Sequence, residues 1–477
     1  MGETPQSLGV LILGAGKGTR MHSEKPKVLQ PLLEEPIVYY PLRAVREAGL
    51  KNIAVLVGYG GDLVEQYLSQ EWPDVDVVWQ HEQLGTGHAV KSARDWWKKF
   101  DNLLVVNGDV PLVRTETLSR LVERHVRYKP QCTLLSVLVD DPTGYGRILR
   151  LADGGVRIVE QRDAEEDELA IQEINAGVYL FETAALSEVI EQITPNNDQN
   201  EYYLTEAIPL IGETEGDVEV IICEDQHELL GINSPIDLAD SSMALNRRII
   251  RWHMKAGLKC MDPSATWIGP RVEFGTDVVV EPGAQIWGAS KIADGARIGA
   301  YSTLRDARIG SGTVVQGPSV ISDSEVGRDA IVGPFAYLRG ETKMGDRTRA
   351  GRFVEIKRSE IGEGSKVPHL TYVGDTTIGE NTNVGAGTIT CNYDGRRKHR
   401  TEIGSGCFIG SDTMFVAPVK MGDNASTAAG SVVTKDIPDG ALAIARSRQT
   451  IIDNWSERKE IVQKQSAAKP GATSKEN

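Results

Sequence analysis

Cysteine is scarce in this chain. Five occur in 477 residues, at Cys132, Cys223, Cys260, Cys391 and Cys407, an odd number with no C-x-x-C pair. That argues against a disulfide framework and a zinc site, and for a reduced, cytoplasmic chain. No apolar run approaches the about 20 residues of a transmembrane helix. The opening MGETPQSLGVLILGAGKG has no basic stretch before its short apolar run, which enters a glycine loop. It reads as a first strand rather than a signal peptide. Basic residues are outnumbered, 52 Lys and Arg against 67 Asp and Glu, for a net charge of −15. Such a balance excludes nonspecific affinity for nucleic acid or an anionic membrane, and leaves open a local basic pocket for a phosphorylated ligand. Aromatics make up only 6%, whereas 49 residues are Gly, which points to many tight corners. With 40% hydrophobic and 25% charged residues the composition is globular, and the length implies two or more domains.

Residues 8 to about 235 alternate short apolar runs with helical patterns. Gly9–Leu13, Asn52–Val57, Val75–Trp79, Asn102–Val106 and Cys132–Val139 read as buried strands. Tyr39–Ala48, Gly61–Leu68, His88–Lys98 and Thr115–Arg127 read as crossover helices. This alternation predicts a mainly parallel sheet covered on both faces, an α/β Rossmann-like domain. Asp237–Met254 sets Leu238, Leu245, Ile249 and Trp252 on one helical stripe and reads as a connecting helix.

After Lys259 the period changes. Apolar residues recur every six, at Ile286, Ile292, Ile298 and Leu304, then Val320, Val326, Val332, Leu338, Met344, Ala350 and Ile356. Ile361, Val367 and Val373 follow, then Ile378 and Val384, and finally Ile403, Ile409, Phe415 and Met421. On a helix such steps scatter around the axis. A strand and turn repeated every six residues accounts for the spacing, with the apolar residue inward and a following Gly permitting the corner. The pattern predicts a parallel β-helix. Its register slips by one after Leu304 and after Ile356, and CNYDGRRKHRT near Thr390–Thr401 inserts a basic outward loop. The tail from about Lys459 is polar and is expected to be disordered.

Two stretches carry chemistry. LGAGKGTRM (Leu13–Met21) follows the first strand, and Gly14, Gly16 and Gly18 permit close approach to phosphate while Lys17, Arg20 and Lys27 bring positive charge. A triphosphate needs both. The spacing matches neither a Walker loop nor G-x-G-x-x-G, and an ordinary turn explains the glycines alone equally well. Asp109 follows a buried strand directly, where ligands gather in open parallel sheets; helix cap and metal ligand both remain open. HLTYVGD (His369–Asp375) lies inside the hexapeptide array. Acyl transfer to an amine calls for a base such as His, although a His in a repeat is also commonly structural.

QLGTGHA (Gln83–Ala89), PTGYGRI (Pro142–Ile148) and INAGVYLF (Ile174–Phe181) join these features, and residues 8–235 together resemble the sugar-1-phosphate nucleotidyltransferases. The array resembles the hexapeptide acyltransferases, whose fold also occurs as a passive oligomerisation module. LGAGKGTRM, EQLGTGHA, DDPTGYGRI, IQEINAG, GSKVPHLTYVGD, GAGTITCNYDG and IGSDT occur in one order over about residues 8–455. In that order they resemble the bacterial bifunctional N-acetylglucosamine-1-phosphate uridylyltransferase/glucosamine-1-phosphate acetyltransferase family. The resemblance implies a uridylyltransferase domain over 1–235, a linker helix over 236–256, a left-handed β-helix acetyltransferase domain over 257–458 and a tail over 459–477. It also implies UTP and acetyl-CoA as substrates, Mg²⁺ as cofactor, and a homotrimer joined through the β-helix with acetyl sites shared between chains. A nucleotidyltransferase whose β-helix only trimerises is the alternative.

The resemblance further implies residue roles. Leu13, Gly14, Ala15 and Gly16 would line the nucleotide, with Arg20 and Lys27 carrying triphosphate charge and Lys27 assisting transfer. Gln80, Gly85 and Thr86 would meet the uracil ring. Asn107 and Gly108 precede Asp109, which with Asn233 would hold Mg²⁺. Gly146, Glu160 and Asn175 would grip the amino sugar. In the second site Arg339 and Lys357 would bind sugar phosphate, His369 would be the base, and Tyr372 and Asn383 would fix the sugar. Ala386, Asn392, Tyr393, Ser411, Ala429 and Arg446 would line acetyl-CoA. Three positions depart from the family: Gly14 where Ala is frequent, Asn107 where Tyr is common, and Pro368 where Gly commonly precedes the His.

Overall fold

The computed structural model describes residues 7–152, 154–214 and 216–467. It divides into two compact units, Met1–Thr276 with Glu281–Ser290, and Asp277–Val280 with Lys291–Asn477.

The first unit is built on nine strands: β1 (Leu8–Leu13), β2 (Asn52–Val57), β3 (Asp76–Trp79), β4 (Asn102–Asn107), β5 (Cys132–Leu138), β6 (Arg147–Arg150), β7 (Val156–Val159), β8 (Glu173–Glu182) and β9 (Val218–Cys223). Their order is β9-β5-β8-β4-β1-β2-β3. Neighbours are parallel except for β8, which runs antiparallel to both β4 and β5. β6 and β7 form an antiparallel pair that joins the sheet through β8. The expected α/β domain is present. Val10 and Ile12 face one apolar cluster and Leu11 the other, so the strands are buried on both sides.

The helices are α1 (Tyr39–Glu47), α2 (Gly61–Glu71), α3 (Thr86–Ser92), α4 (Arg94–Trp97), α5 (Thr115–Tyr128), α6 (Glu166–Leu169), α7 (Thr183–Val189), α8 (Ala207–Glu213) and α9 (Pro235–Lys255). The single helix expected over His88–Lys98 is instead two, α3 and α4, which meet at Ala93.

Helix α9 begins at a capping box between Ser234 and Asp237 with Pro235 in the first turn. Of the expected stripe, Leu238, Leu245 and Ile249 pack into one apolar cluster, and only Trp252 departs from it. Trp252 is 66% exposed, whereas Leu245, Asn246, Ile250 and His253 are buried. Asn246 is tolerated inside because its amide donates to the Thr266 carbonyl at 2.7 Å and accepts from the Ile268 N–H at 3.0 Å. Arg271 pairs with Glu35 at 2.7 Å, and Glu34 takes the Gly288 N–H at 2.7 Å. These bonds draw the first β-helix strands into the first unit, so the boundary expected at 257 cuts through a packed region. A fragment ending at Gly257 strips Trp267 and Trp287 from the cluster that holds Leu245 and exposes its apolar surface, a cost of about 1–3 kcal/mol. A fragment ending at Ser290 is therefore expected to melt roughly 5 °C higher. Equal melting temperatures would show that these strands contribute nothing to the first unit.

His125 of α5 is buried between Thr133 Oγ1 at 2.9 Å and Asn102 Oδ1 at 3.0 Å. Burial pushes its pKa down to about 4, and His253 is likewise pushed down to about 4. A folded-state pKa below the unfolded value means that stability is complete above about pH 6.5 and is lost as pH falls towards 4. Each ring costs about 2 kcal/mol between pH 7 and pH 5. His125→Gln is expected to flatten the fall of the urea midpoint over this range. An unchanged slope assigns the dependence to other groups.

The second unit is a left-handed parallel β-helix of short strands. Its register mostly steps by 17 residues, as where Arg349 lies opposite Lys366, or by 18, as where Val279 lies opposite Arg297, and by 25 across the inserted loop, where Thr376 lies opposite Thr401. The six-residue series is buried with one correction: Val320 is 42% exposed and Ile321 takes the inward place. The shift is made at Asp323, whose φ of 45° turns the corner one residue early; Asp306 and Arg358 do the same after Leu304 and Ile356. The role expected of the repeat glycines also changes. Gly310 and Gly362 have ordinary φ, but a Cβ on either would lie 2.4 or 2.5 Å from the backbone of the next coil. Coil stacking, more than corner torsion, demands glycine there.

Disorder was expected from Lys459. Trp455–Ala467 instead forms a helix, consistent with its Glu, Lys and Gln content; residues 468–477 lie outside those described. Among the described residues no helix is long and apolar enough to cross a membrane.

Candidate functional site

At the carboxyl ends of β1 and β4 a cavity of about 220 Å³ opens. Of the residues expected at the first site, Leu13, Arg20, Thr86, Asn107, Asp109, Gly146, Glu160, Asn175 and Asn233 line it. Sheet geometry gathers them, because β1 and β4 end side by side and Gly108 donates to the Leu13 carbonyl at 2.9 Å. Lys27 points between Asp109 and Asn233: its Nζ is paired with the Asp109 carboxylate and lies 3.2 Å from Asn233 Oδ1. Gly18, with φ of 60°, lets the loop fold over Lys27, where a Cβ would come within 2.7 Å of the lysine Cβ.

Gly14, Ala15, Gly16, Gln80, Gly85 and Gly108 are not part of that lining. Gly14 donates to the Leu56 carbonyl at 2.8 Å, and Ala15 and Gly108 are buried behind the loop. Gly16 is exposed, with open space where a Cβ would stand. Gln80 is buried, its amide spent on the Gly85 carbonyl at 3.3 Å and His88 Nδ1 at 3.0 Å. Gly85 adopts φ of 111° against Tyr202, where a Cβ would meet the Tyr202 carbonyl at 2.5 Å.

On the far wall Asn175 donates to the Tyr179 hydroxyl at 2.6 Å and accepts from the Gly177 N–H at 3.2 Å. The Asn175 N–H reaches the Gly146 carbonyl at 2.8 Å. Thr205 Oγ1 lies 3.3 Å from Glu160 Oε1. Burial raises the Glu160 pKa, opposed by that hydroxyl. Tyr145 is pushed up to about 12, chiefly by burial. Sequence reasoning assigned no role to Tyr145, Tyr179, Thr205 or Gly231, which also line the cavity. Tyr145 and Tyr179 lay inside quoted motifs, whereas nothing local marked Thr205.

Asp109 and Asn233 offer two hard oxygen donors that already converge on a cation, the Lys27 ammonium. That donor set fits Mg²⁺, which takes few protein ligands and keeps several waters. Among the described residues there is no cluster of three or more His, Cys, Asp or Glu that could hold a metal.

In the β-helix His369 lies on the strand Lys366–Gly374, exposed, opposite Arg352. Pro368 does not interrupt this strand. Ala386, Ser411 and Ala429 recur above it at one corner. Gly387 donates to the Leu370 carbonyl at 3.2 Å, Asp412 to Ala386 at 2.7 Å and Gly430 to Ser411 at 2.8 Å, and Arg446 Nη1 caps Ala429 at 3.0 Å. The expected acetyl-CoA residues Ala386, Ser411, Ala429 and Arg446 thus form one column.

Arg339, Lys357 and Tyr372 share another face, with Arg339 opposite Lys357 and Glu355 opposite Tyr372. Arg339 pairs with Glu355 at 2.6 Å, which raises its pKa. The Lys357 pKa is lowered by its neighbour Lys398 first, then by burial and by Arg339 and Arg358. Such a cluster of cations suits an anion. Asn392 donates to Asp375, and Tyr393 is exposed with its hydroxyl on the Gly395 carbonyl at 2.8 Å. Asn383 lies opposite Lys366 on the next coil.

Residues 9–226 match the nucleotidyl transferase family, and residues 400–435 match the bacterial transferase hexapeptide family of six repeats. The chain is 46% identical to the bifunctional protein GlmU of Heliobacterium modesticaldum, over 94% of this chain and 98% of that one. It is 44% identical to the same protein of Caldanaerobacter subterraneus, over 95% and 98%. For that of Streptomyces avermitilis the identity is 43%, over 94% of each chain. With both catalytic folds present and likeness extending over nearly the whole of each relative, the chain belongs to the bifunctional GlmU family.

Proposed function

We infer that the chain makes UDP-N-acetylglucosamine in two steps: it acetylates glucosamine-1-phosphate with acetyl-CoA, then transfers UMP from UTP to the N-acetylated product, releasing pyrophosphate. The observation that carries the nucleotidyl step is the meeting of Lys27, Asp109 and Asn233 at the strand ends, beside Arg20 and the cavity. The sugar 1-phosphate oxygen attacks the α-phosphorus of UTP, and the bond to pyrophosphate breaks. Arg20 and Lys27 neutralise the charge that spreads over the phosphates. Asp109 and Asn233 would hold Mg²⁺, which would supply Lewis-acid charge compensation when bound. Leu13–Gly16 and the Gln80, Gly85 and Thr86 turn support the nucleotide, and Gly146, Glu160 and Asn175 seat the amino sugar.

At the second site Arg339 and Lys357 hold the sugar phosphate, with Tyr372 and Asn383 orienting the ring. His369 takes a proton from the amine as its nitrogen attacks the thioester carbonyl. The tetrahedral oxyanion then collapses, the C–S bond breaks, and the CoA sulfur leaves with the proton that His369 carried. The corner column from Ala386 to Arg446, with Asn392 and Tyr393, lines the CoA. The chain works in the cytoplasm as a homotrimer joined through its β-helices.

Mass spectrometry tests this reading with glucosamine-1-phosphate, acetyl-CoA, UTP and Mg²⁺. The expected product is UDP-N-acetylglucosamine, and leaving out acetyl-CoA stops it unless N-acetylglucosamine-1-phosphate is supplied. Uridylyl transfer without acetylation would leave the β-helix as a passive trimerisation module.

A further inference from the structure

Arg147 is an anomaly beside the first cavity. Its side chain is only 2% exposed. Its guanidinium bonds the Tyr145 carbonyl, Gln161 Oε1 at 2.9 Å and the Leu169 carbonyl at 3.4 Å. None of these three acceptors is a carboxylate, and its Nε has no hydrogen-bond partner. Asp141 bears on it only through space, and burying a cation without a directly bonded counter-charge is costly. A packed apolar side chain would serve stability as well, so a specific service is called for.

The three acceptors identify it. Tyr145 stands between Gly144 and Gly146, and all three line the cavity. Gln161 follows Glu160, which faces the cavity from β7's end, and its Oε1 also accepts the Gly144 N–H at 3.0 Å. Leu169 closes α6. One planar fork therefore ties the 144–146 wall to the Glu160–Gln161 turn and to α6 from behind. The Gly146 carbonyl in turn receives the Asn175 N–H.

We propose that Arg147 is the positioning residue of the sugar-phosphate side of the uridylyl site, holding the Gly144–Gly146 wall in register with Glu160 and Asn175. This rests on reading those residues as the seat of the amino sugar. Arg147 touches no reacting atom. Its effect falls on how tightly the sugar is seated, not on the phosphates.

Lysine is a point charge that cannot bridge three acceptors as the guanidinium fork does. Arg147→Lys and Arg147→Met are therefore both expected to raise the KM for N-acetylglucosamine-1-phosphate about 10-fold or more, with kcat and the KM for UTP within about 3-fold. Gln161→Ala removes one acceptor without unburying a charge and should raise the same KM. The Arg147→Lys/Gln161→Ala double variant should be no worse than the poorer single, because both act through one tie. Acetyl transfer by the same chain serves as the internal control. Parallel losses in kcat and both KM values, or full rescue by Lys, would overturn the proposal and leave Arg147 a general stability element. If Arg147→Met does not fold, Arg147→Lys and Gln161→Ala decide alone. Failure of the wild-type chain to use this sugar phosphate at all would instead strike the underlying reading, and the two outcomes are distinguished in one assay.

Discussion

Asp109→Ala is expected to lower uridylyl transfer by about 10³-fold or more, while acetyl transfer by the same chain stays within about twofold. Asp109 stands two residues beyond the end of β4 and points its carboxylate at the Lys27 ammonium, with Asn233 on the other side. Removing it takes away the only charged oxygen of the proposed metal pair. A metal ion's compensation of phosphate charge is worth several kcal/mol, and each 1.4 kcal/mol is tenfold in rate. Lys27, 13% exposed, would then be left with Asn233 alone. Asp109→Asn keeps the shape and one hydrogen bond for Lys27, and should lose nearly as much rate but less stability than Asp109→Ala. Binding of Mn²⁺, followed by its paramagnetic signal, should weaken in both variants. Uridylyl rates near wild type, with unchanged Mg²⁺ dependence, would remove Asp109 from the reaction.

The architecture was readable where one local rule decides it. β1, β2 and β4 are apolar through their middles because helices cover both faces, and the period of six follows from inward residues stacking coil on coil. Where two neighbours compete for one place, spacing was insufficient: Val320 and Ile321 are both apolar, and the left-handed corner at Asp323 chooses Ile321. The glycine rule had the right residues and the wrong cause, since a repeat of Gly looks the same whether torsion or a neighbouring coil excludes the Cβ. The stripe on α9 holds at Leu238, Leu245 and Ile249 but not at Trp252, and it missed Asn246, polar by type, which is buried by two backbone partners twenty residues or more along the chain. Within the first cavity, Asp109 was legible from its place at a strand end. Thr205 was not, because its meeting with Glu160 depends on how distant segments fold back together. Arg147 was inside a quoted motif, yet only its burial shows that it faces away from the cavity that its neighbours line.

His369→Ala is expected to slow acetyl transfer by about 10²–10⁴-fold, the usual contribution of a general base, with uridylyl transfer unchanged. His369 is exposed on the strand Lys366–Gly374, adjacent to the column that begins at Leu370 and runs to Arg446. Among the described residues its imidazole has no hydrogen-bond partner, so its removal leaves no buried group unsatisfied. The backbone stays tied, because the Thr371 hydroxyl donates to the His369 carbonyl at 2.6 Å, and truncating an exposed strand residue costs about 0.5 kcal/mol or less. Folding is thus preserved, and lost rate reports chemistry. Release of the CoA thiol measures it at saturating glucosamine-1-phosphate. Arg339→Ala provides the contrast, since a phosphate-binding cation should raise the KM for that sugar more than it lowers kcat. A His369→Ala chain that acetylates within about threefold of wild type would make the imidazole structural, and the proton would have to leave the amine by another route.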